Sequence, residues 1–197
     1  MNRPGNLSTA ARWIVAMCAL ALVATFFLPF WFIFLTAPQY PEGLTMYIWL
    51  DHLSGEVSII NGLNHYIGMR PIHESQFPEF GYMRWIMVAL IVLGVVVAIR
   101  GRRSWLVGYL LLFAAAGALA LYDFYQWSYA YGHELDPHAP IKVPGLTYQP
   151  PLVGHKKLLN FDAYSYPDSG GWVMIAAVSV MLLVLLWDLF RRKRKTV

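Results

Sequence analysis

The sequence predicts an all-α membrane protein with four transmembrane helices, both termini cytoplasmic, and an extracytoplasmic cap made of two long connections. Three observations predict it. The 197-residue chain is 58% hydrophobic and only 13% charged, where soluble domains carry about a quarter charged residues. The deficit is concentrated in long uncharged runs, the mark of membrane spans rather than of a large soluble core. The basic residues, in turn, cluster at the N-terminus, at 100–103 and at 191–195.

The first span is placed at about 13–37. From Trp13 to Ala37 there is no charge, and about 25 residues at 1.5 Å each exceed a hydrocarbon layer of about 30 Å. A cleaved signal peptide would have a shorter apolar core and a small-residue cleavage site. This run instead ends in Phe26, Phe27, Phe30, Trp31, Phe32 and Phe34, so an uncleaved helix is favoured, with Pro29 kinking its outer half. Cys18, the single cysteine, lies in this run and reads as a small lipid- or helix-facing residue. No disulfide within the chain and no Cys/His zinc pattern is available.

The outer connection 38–82 contains an amphipathic part, Leu44–Leu53, expected as an interfacial helix because of its Tyr47 and Trp49. After the Ser54-Gly55 turn signal comes the stretch 61–73, expected to be helical until Gly68 and Pro71 end it near Arg70. The second span, 83–100, is short and is completed by snorkelling of Arg84. Gly101-Arg102-Arg103 makes a basic turn. The third span, 104–127, carries the small residues Ala114-Ala-Ala-Gly-Ala118, expected to let another helix of the chain approach closely, with a dimer contact as the alternative. Its helical pattern extends towards Tyr131. The second connection, about 128–170, is rich in Pro, Gly and Tyr and has little periodicity; its aromatic residues predict an ordered coil. The fourth span, 171–190, ends in Arg191-Arg-Lys-Arg-Lys195, with which Asp188 is expected to pair. All of this forms a single integral membrane domain, 1–197.

Ten of the fifteen Lys and Arg residues lie at Arg3, Arg12, Arg100, Arg102, Arg103, Arg191, Arg192, Lys193, Arg194 and Lys195. The positive-inside rule puts those segments in the cytoplasm and both long connections outside. The expected location is the bacterial cytoplasmic (inner) membrane, and the lipid bilayer is the first partner.

All six histidines (His52, His65, His73, His133, His138 and His155) fall in the outer connections. No span therefore offers an axial ligand, and no haem is expected within the bundle. Mid-membrane ionisable groups are lacking, which disfavours pumping. The basic tail is explained by topology, so nucleic acid is not a partner. No nucleophile–base pair, phosphate loop or nucleotide fingerprint is present, so no catalytic residue is assigned.

Two candidate sites remain. Asn61, His65 and Met69 fall at i, i+4 and i+8, on one face if the segment is helical. Imidazole and thioether together suit copper(I). With His73 from the first connection and His133, Asp136 or His138 from the second, a metal site is expected where the two connections meet, with added carboxylates moving the preference towards zinc or copper(II). The competing reading is that these side chains serve packing and hydrogen bonding alone. The second candidate is Asp123 with Gln126, either a buried polar pair or a contact for a quinone head group.

The blocks Ala37-Pro-Gln-Tyr-Pro-Glu-Gly-Leu44, Ile60-Asn-Gly-Leu-Asn-His-Tyr-Ile-Gly-Met69, Tyr131-Gly-His-Glu-Leu-Asp-Pro137 and Tyr148-Gln-Pro-Pro-Leu152 resemble a family of small bacterial polytopic membrane proteins. Genes of that family accompany those of periplasmic nitrous oxide reductase and its copper-handling accessory proteins. The resemblance covers most of the chain, both outer connections included. It implies a setting of denitrification, a periplasmic copper enzyme and the outer face of the cytoplasmic membrane, and it carries over no binding residues position by position. Three functions are expected from it and from the residues together. One is an accessory protein that holds or delivers copper, or docks the copper enzyme or other accessory membrane proteins. The others are a quinol-interacting electron-transfer anchor and a structural subunit without a cofactor.

Overall fold

The computed structural model describes residues 5–141, 145 and 147–193, with side chains up to Arg191 at the C-terminal end. Arg3, the segment 142–144 and the basic side chains beyond Arg191 lie outside the described residues. Among the described residues the chain forms five α-helices and five β-strands: α1 (Thr9–Ala21), β1 (Trp31–Ala37), β2 (Tyr40–Ile48), β3 (Leu53–Gly55), α2 (Val57–Ile67), α3 (Glu79–Arg100), α4 (Arg103–His133), β4 (Gly154–Leu158), β5 (Phe161–Pro167) and α5 (Ser169–Lys193).

Four segments are long and apolar enough to cross a membrane: Thr9–Phe26, Glu79–Arg100, Arg103–His133 and Ser169–Arg191. Ser8 caps the first, accepting from the Ala11 N–H at 3.2 Å. A 3-10 turn, Leu22–Phe26, extends it. α1 and α4 each pack against α3 and α5. Their shared core holds Val15, Ala19, Leu22, Leu90, Val97, Leu106, Tyr109 and Met181, with Cys18 packed at its edge. α1 and α3 approach closely at Gly94, where a Cβ would lie 2.7 Å from the Ala19 Cβ. The stretch 114–118 does not supply it. Ala114, Ala115 and Ala118 are exposed, and a Cβ at Gly117 would meet nothing within 4 Å.

The basic end of the bundle is tied by hydrogen bonds. Arg12 Nε and Nη2 donate to the carbonyls of Ala98 (2.8 Å) and Ile99 (2.7 Å), which satisfies carbonyls left open at the end of α3. Leu7 N donates to the Gly101 carbonyl at 2.7 Å. Asp188 pairs with Arg103, which joins the end of α5 to the start of α4.

The opposite end carries the sheet, and here the all-α expectation is corrected. The five strands form one antiparallel sheet in the order β3-β2-β1-β5-β4. The predicted first span, 13–37, is a helix only to Phe26, and its outer third is the central strand β1. The physical reason lies in composition: Trp31-Phe-Ile-Phe-Leu-Thr36 is aromatic and β-branched and follows Pro29, which ends the helix rather than kinking it. Uncharged helix and uncharged strand run together here without a polar boundary. The predicted interfacial helix at 44–53 is β2 and the turn into β3. The predicted coil at 128–170 is the end of α4, a strap, and the hairpin β4–β5.

The sheet is fastened to the bundle at its base. β1 leaves the α1 end and β5 enters α5, with Trp31 opposite Pro167. Gly170 N donates to the Pro29 carbonyl and Asp168 N to the Phe30 carbonyl, at 2.9 and 3.1 Å. A Cβ at Gly171 would lie 2.4 Å from the Phe30 carbonyl oxygen, so the close approach requires glycine. One sheet face covers Trp31, Ile33, Leu44 and Met46. It packs against Ile60 of α2 and against Phe124, Trp127 and Tyr131 on the last turns of α4. At about 1.5 Å per residue, 31 residues of α4 overshoot a 30 Å hydrocarbon layer, which is why its end is free to serve the cap.

Candidate functional site

The stretch 61–73, expected to be helical to about Arg70, is helical only to Ile67, as the second half of α2 (Val57–Ile67). α2 stops at Ile67, and Gly68 takes φ 80°, the left-handed cap conformation glycine adopts without cost. Met69 therefore lies beyond the helix and does not continue the face of Asn61 and His65. The Asn61 side chain instead holds the departing chain. Its Nδ2 donates to the Ile72 carbonyl at 2.9 Å and its Oδ1 accepts from the Ile72 N–H at 2.7 Å.

The two outer connections meet here. Asp136 N donates to the Gly68 carbonyl at 2.8 Å, and Ile141 N to the Tyr66 carbonyl at 2.9 Å. Arg70 pairs with Glu134. The Tyr131 hydroxyl, on α4, donates to the Pro71 carbonyl and lies beside Gln76 Oε1.

The predicted metal residues are placed as follows. His65 is exposed on α2, edge-on to Tyr66 at 6.1 Å. Met69 is part-buried in the apolar core of the cap. His73 precedes a short 3-10 turn and is exposed. His133 stacks on Tyr129 at 3.9 Å, with Nδ1 2.9 Å from the Tyr129 carbonyl oxygen. His138 is exposed beside Asp136 at 3.4 Å. Among the described residues no three His, Cys, Asp or Glu side chains come together as a metal site. A single imidazole or thioether does not fit copper without further ligands. Asp123 and Gln126 are both exposed on α4, facing away from the cap core formed by Phe124, Trp127 and Tyr131.

Between α2 and the inner face of the sheet the cap forms a half-open groove of about 100 Å³. Ile33, Met46, Ile60, Met69, Leu159 and Phe161 make up part of its largely apolar wall. Asn64, Trp127 and Tyr148 also border it, beside Tyr131; Asn64 Nδ2 and the Tyr148 hydroxyl are buried without a hydrogen-bond partner among the described residues, while the Trp127 indole lies against Tyr131 at 4.5 Å. Asn64 is 7% exposed and Tyr148 3%. Tyr148 is carried there by a strap lying across the end of α4. Its N–H donates to the Gly132 carbonyl at 3.0 Å, and a Cβ at Gly132 would lie 2.3 Å from the Gln149 Cα. Sequence reasoning missed this trio. The only available signal was Asn64, a carboxamide three residues before Ile67 and four after Ile60, on the apolar side of an amphipathic helix.

The other sheet face is aromatic and part-exposed. Phe32 sits between Tyr47 and Tyr166 across the strands, and Phe34 between Thr45 and Tyr164. Ring centroids are 6.2 Å apart for Phe32–Tyr166 and 6.1 Å for Phe34–Tyr164. His155 stacks on Tyr164 at 4.6 Å and contacts Asp162 at 2.7 Å. Rows of this kind stabilise the sheet, and they leave Tyr166 exposed and the other Phe and Tyr rings part-exposed.

Compared with known protein families the chain matches no family model, and no curated protein matches it.

Proposed function

We propose that the chain is a multi-pass protein of the bacterial cytoplasmic membrane, with its cap on the outer side, acting as an accessory protein that docks a periplasmic copper enzyme, nitrous oxide reductase. One observation carries the docking: the aromatic face of the sheet, presented away from the bundle on a cap fixed to α1 and α5. Aromatic side chains with polar neighbours at the rim are the composition of docking surfaces. The orientation is supported by the basic residues Arg12, Arg100, Arg102 and Arg103, all at the bundle end opposite the sheet. The membrane setting is supported by outward apolar side chains on the helices, such as Leu119 at 69% exposed and Trp187 at 71%. The enzyme itself is suggested by the resemblance of the sequence blocks. Docking is preferred to copper holding because the described residues supply a built surface and no cluster of three ligands.

The test is photo-crosslinking in a denitrifying bacterium, with the crosslinker at Tyr164 and, as control, at Leu119 on the lipid-facing side. Capture of the reductase or one of its accessory proteins from Tyr164 alone is the expected result. No capture, with unchanged reductase maturation in a deletion strain, overturns the reading. Stoichiometric copper on the purified protein, lost in His65→Ala/Met69→Ala, would replace docking by copper holding.

A further inference from the structure

The turn between β4 and β5, at the end of the sheet away from the bundle, has two different sides. Leu158, Leu159 and Phe161 line the apolar groove under α2. Lys157, Asn160 and Asp162, interleaved with them in sequence, line a polar hollow of about 290 Å³ together with Thr36 and Pro38 at the β1–β2 end. The hollow continues the aromatic face. Thr36 and Asp162 are register partners two residues on from Phe34 and Tyr164, and Lys157 stands opposite Asp162. The groove is open to water at this end: Leu159 is 38% exposed, and Leu35, Leu63, Pro150 and Phe161 are part-exposed. Apolar walls left open outside the bundle mark an interaction site.

The hollow also carries an uncommitted cation. Arg70 pairs with Glu134, Arg84 pairs with Asp51, and Lys156 Nζ donates to the Gln149 carbonyl at 3.1 Å. The Lys157 ammonium has no hydrogen bond or ion pair among the described residues. Asp162, its register partner, contacts His155 Nε2 at 2.7 Å instead. An ammonium donates and cannot accept, so the group it suits is a carboxylate.

We infer, on the strength of the docking reading, that the turn 157–162 is the recognition element of the docking face, and that it takes a segment of the docked protein carrying one aliphatic side chain with a carboxylate close by. The aliphatic side chain enters the groove against Leu35, Leu63 and Phe161. The carboxylate meets Lys157, with the Thr36 hydroxyl and the Asn160 carboxamide as further donors. The volume sets the size. A groove of about 100 Å³ is smaller than the roughly 150 Å³ cavity that accommodates benzene, so it admits a leucine-sized side chain and not an aromatic ring.

Leu159 stands between the two sides. It occupies the first place of the two-residue turn with φ 56°, a left-handed conformation that bulky side chains rarely adopt, and it lines the groove. Strain of this kind persists where the surroundings impose it, and it gathers at ligand clamps.

The probes are blocked peptides of leucine and aspartate spaced by one or by two glycines, with alanine for leucine and asparagine for aspartate as counterparts. The protein is the full chain in nanodiscs, labelled with ¹³C-methyl methionine. Met69 lines the groove, and its resonance is identified by its loss in Met69→Leu. At least one leucine–aspartate peptide should shift the Met69 methyl and leave that of Met17, 60% exposed on α1, in place. The alanine peptide should bind about tenfold more weakly, because three carbons leave the groove. The asparagine peptide should bind about threefold more weakly, the factor for an exposed charge pair. Lys157→Gln, at an exposed position, should remove the difference between the aspartate and asparagine peptides. If no peptide moves Met69, or if that difference survives Lys157→Gln, the inference is overturned. The two readings fail separately: loss of capture from Tyr164 overturns the docking of the reductase, and an unmoved Met69 overturns the recognition element whatever Tyr164 captures.

Discussion

Asn61 bonds both backbone groups of Ile72, its carboxamide acting as the missing strand partner for a chain that has just left α2. The pair closes an eleven-residue loop that contains the left-handed cap at Gly68 and the backbone contact of Gly68 with Asp136. Replacing Asn61 with alanine leaves two part-buried backbone groups unpaired, a cost of about 1–3 kcal/mol. Asn61→Ala should therefore lower the melting temperature in detergent and speed amide exchange at 68–73. Unchanged exchange there would show that the loop is held by its other contacts, Gly68–Asp136, Arg70–Glu134 and Tyr131–Pro71.

Arg103 and Asp188 stitch α4 to α5 at the basic end, with side chains only 21% and 15% exposed. Such a pair is weak evidence of net stabilisation, but removing Asp188 strands the part-buried Arg103 charge. Asp188→Ala should cost about 3 kcal/mol, Arg103→Ala less, and the double variant less than the sum. Thermal unfolding of all three variants in the same detergent is the check. Strict additivity would mean that the two groups act separately.

Much of the bundle was legible because a span is declared by length and lack of charge: α3 and α5 fall within a few residues of their predicted positions, and α4 runs past its span as its pattern suggested. The cap was hidden by the same property. Trp31–Ala37 is as uncharged as the helical run from Trp13 before it, so only its aromatic and β-branched composition after Pro29 marked a strand. Gly154-His-Lys-Lys-Leu158 shows no apolar alternation, since an edge strand rich in lysine is shaped by its partner β5 rather than by its own pattern. His65 and Met69 looked like a pair because the period was extended through Gly68, the residue that ends the helix. Asn64, Trp127 and Tyr148 were beyond reach for a different reason. They come from three segments far apart in sequence, and their common groove exists only once the strap crosses α4.

Gly132 is where that crossing occurs, and the space for it is set by the missing side chain. A Cβ there would lie 2.3 Å from both the backbone N and the Cα of Gln149. Gly132→Ala should therefore lift the strap, despite alanine's better helix propensity of about 1 kcal/mol. The expected outcome is faster proteolysis and amide exchange at 147–151, with α4 intact. Gly108→Ala, where a Cβ would meet nothing within 4 Å, should be neutral or stabilising. Equal behaviour of the two variants would remove the strap–helix contact as an ordering element.

Leu159 gives the last prediction, because its backbone and its side chain pull in opposite directions. At φ 56° a leucine carries a steric cost of about 1–2 kcal/mol. Asparagine tolerates that conformation better and glycine accepts it freely. The leucine side chain is 38% exposed, so shortening it removes only part of a leucine's burial. Leu159→Asn should accordingly unfold at the same temperature as the parent or slightly above it. Leu159→Val, whose branched Cβ suits the left-handed region least, should be less stable by about 1 kcal/mol or more. The order Asn, Leu, Val in melting temperature would locate the strain in the backbone of this turn. The reverse order would mean that side-chain packing against the groove wall governs the position.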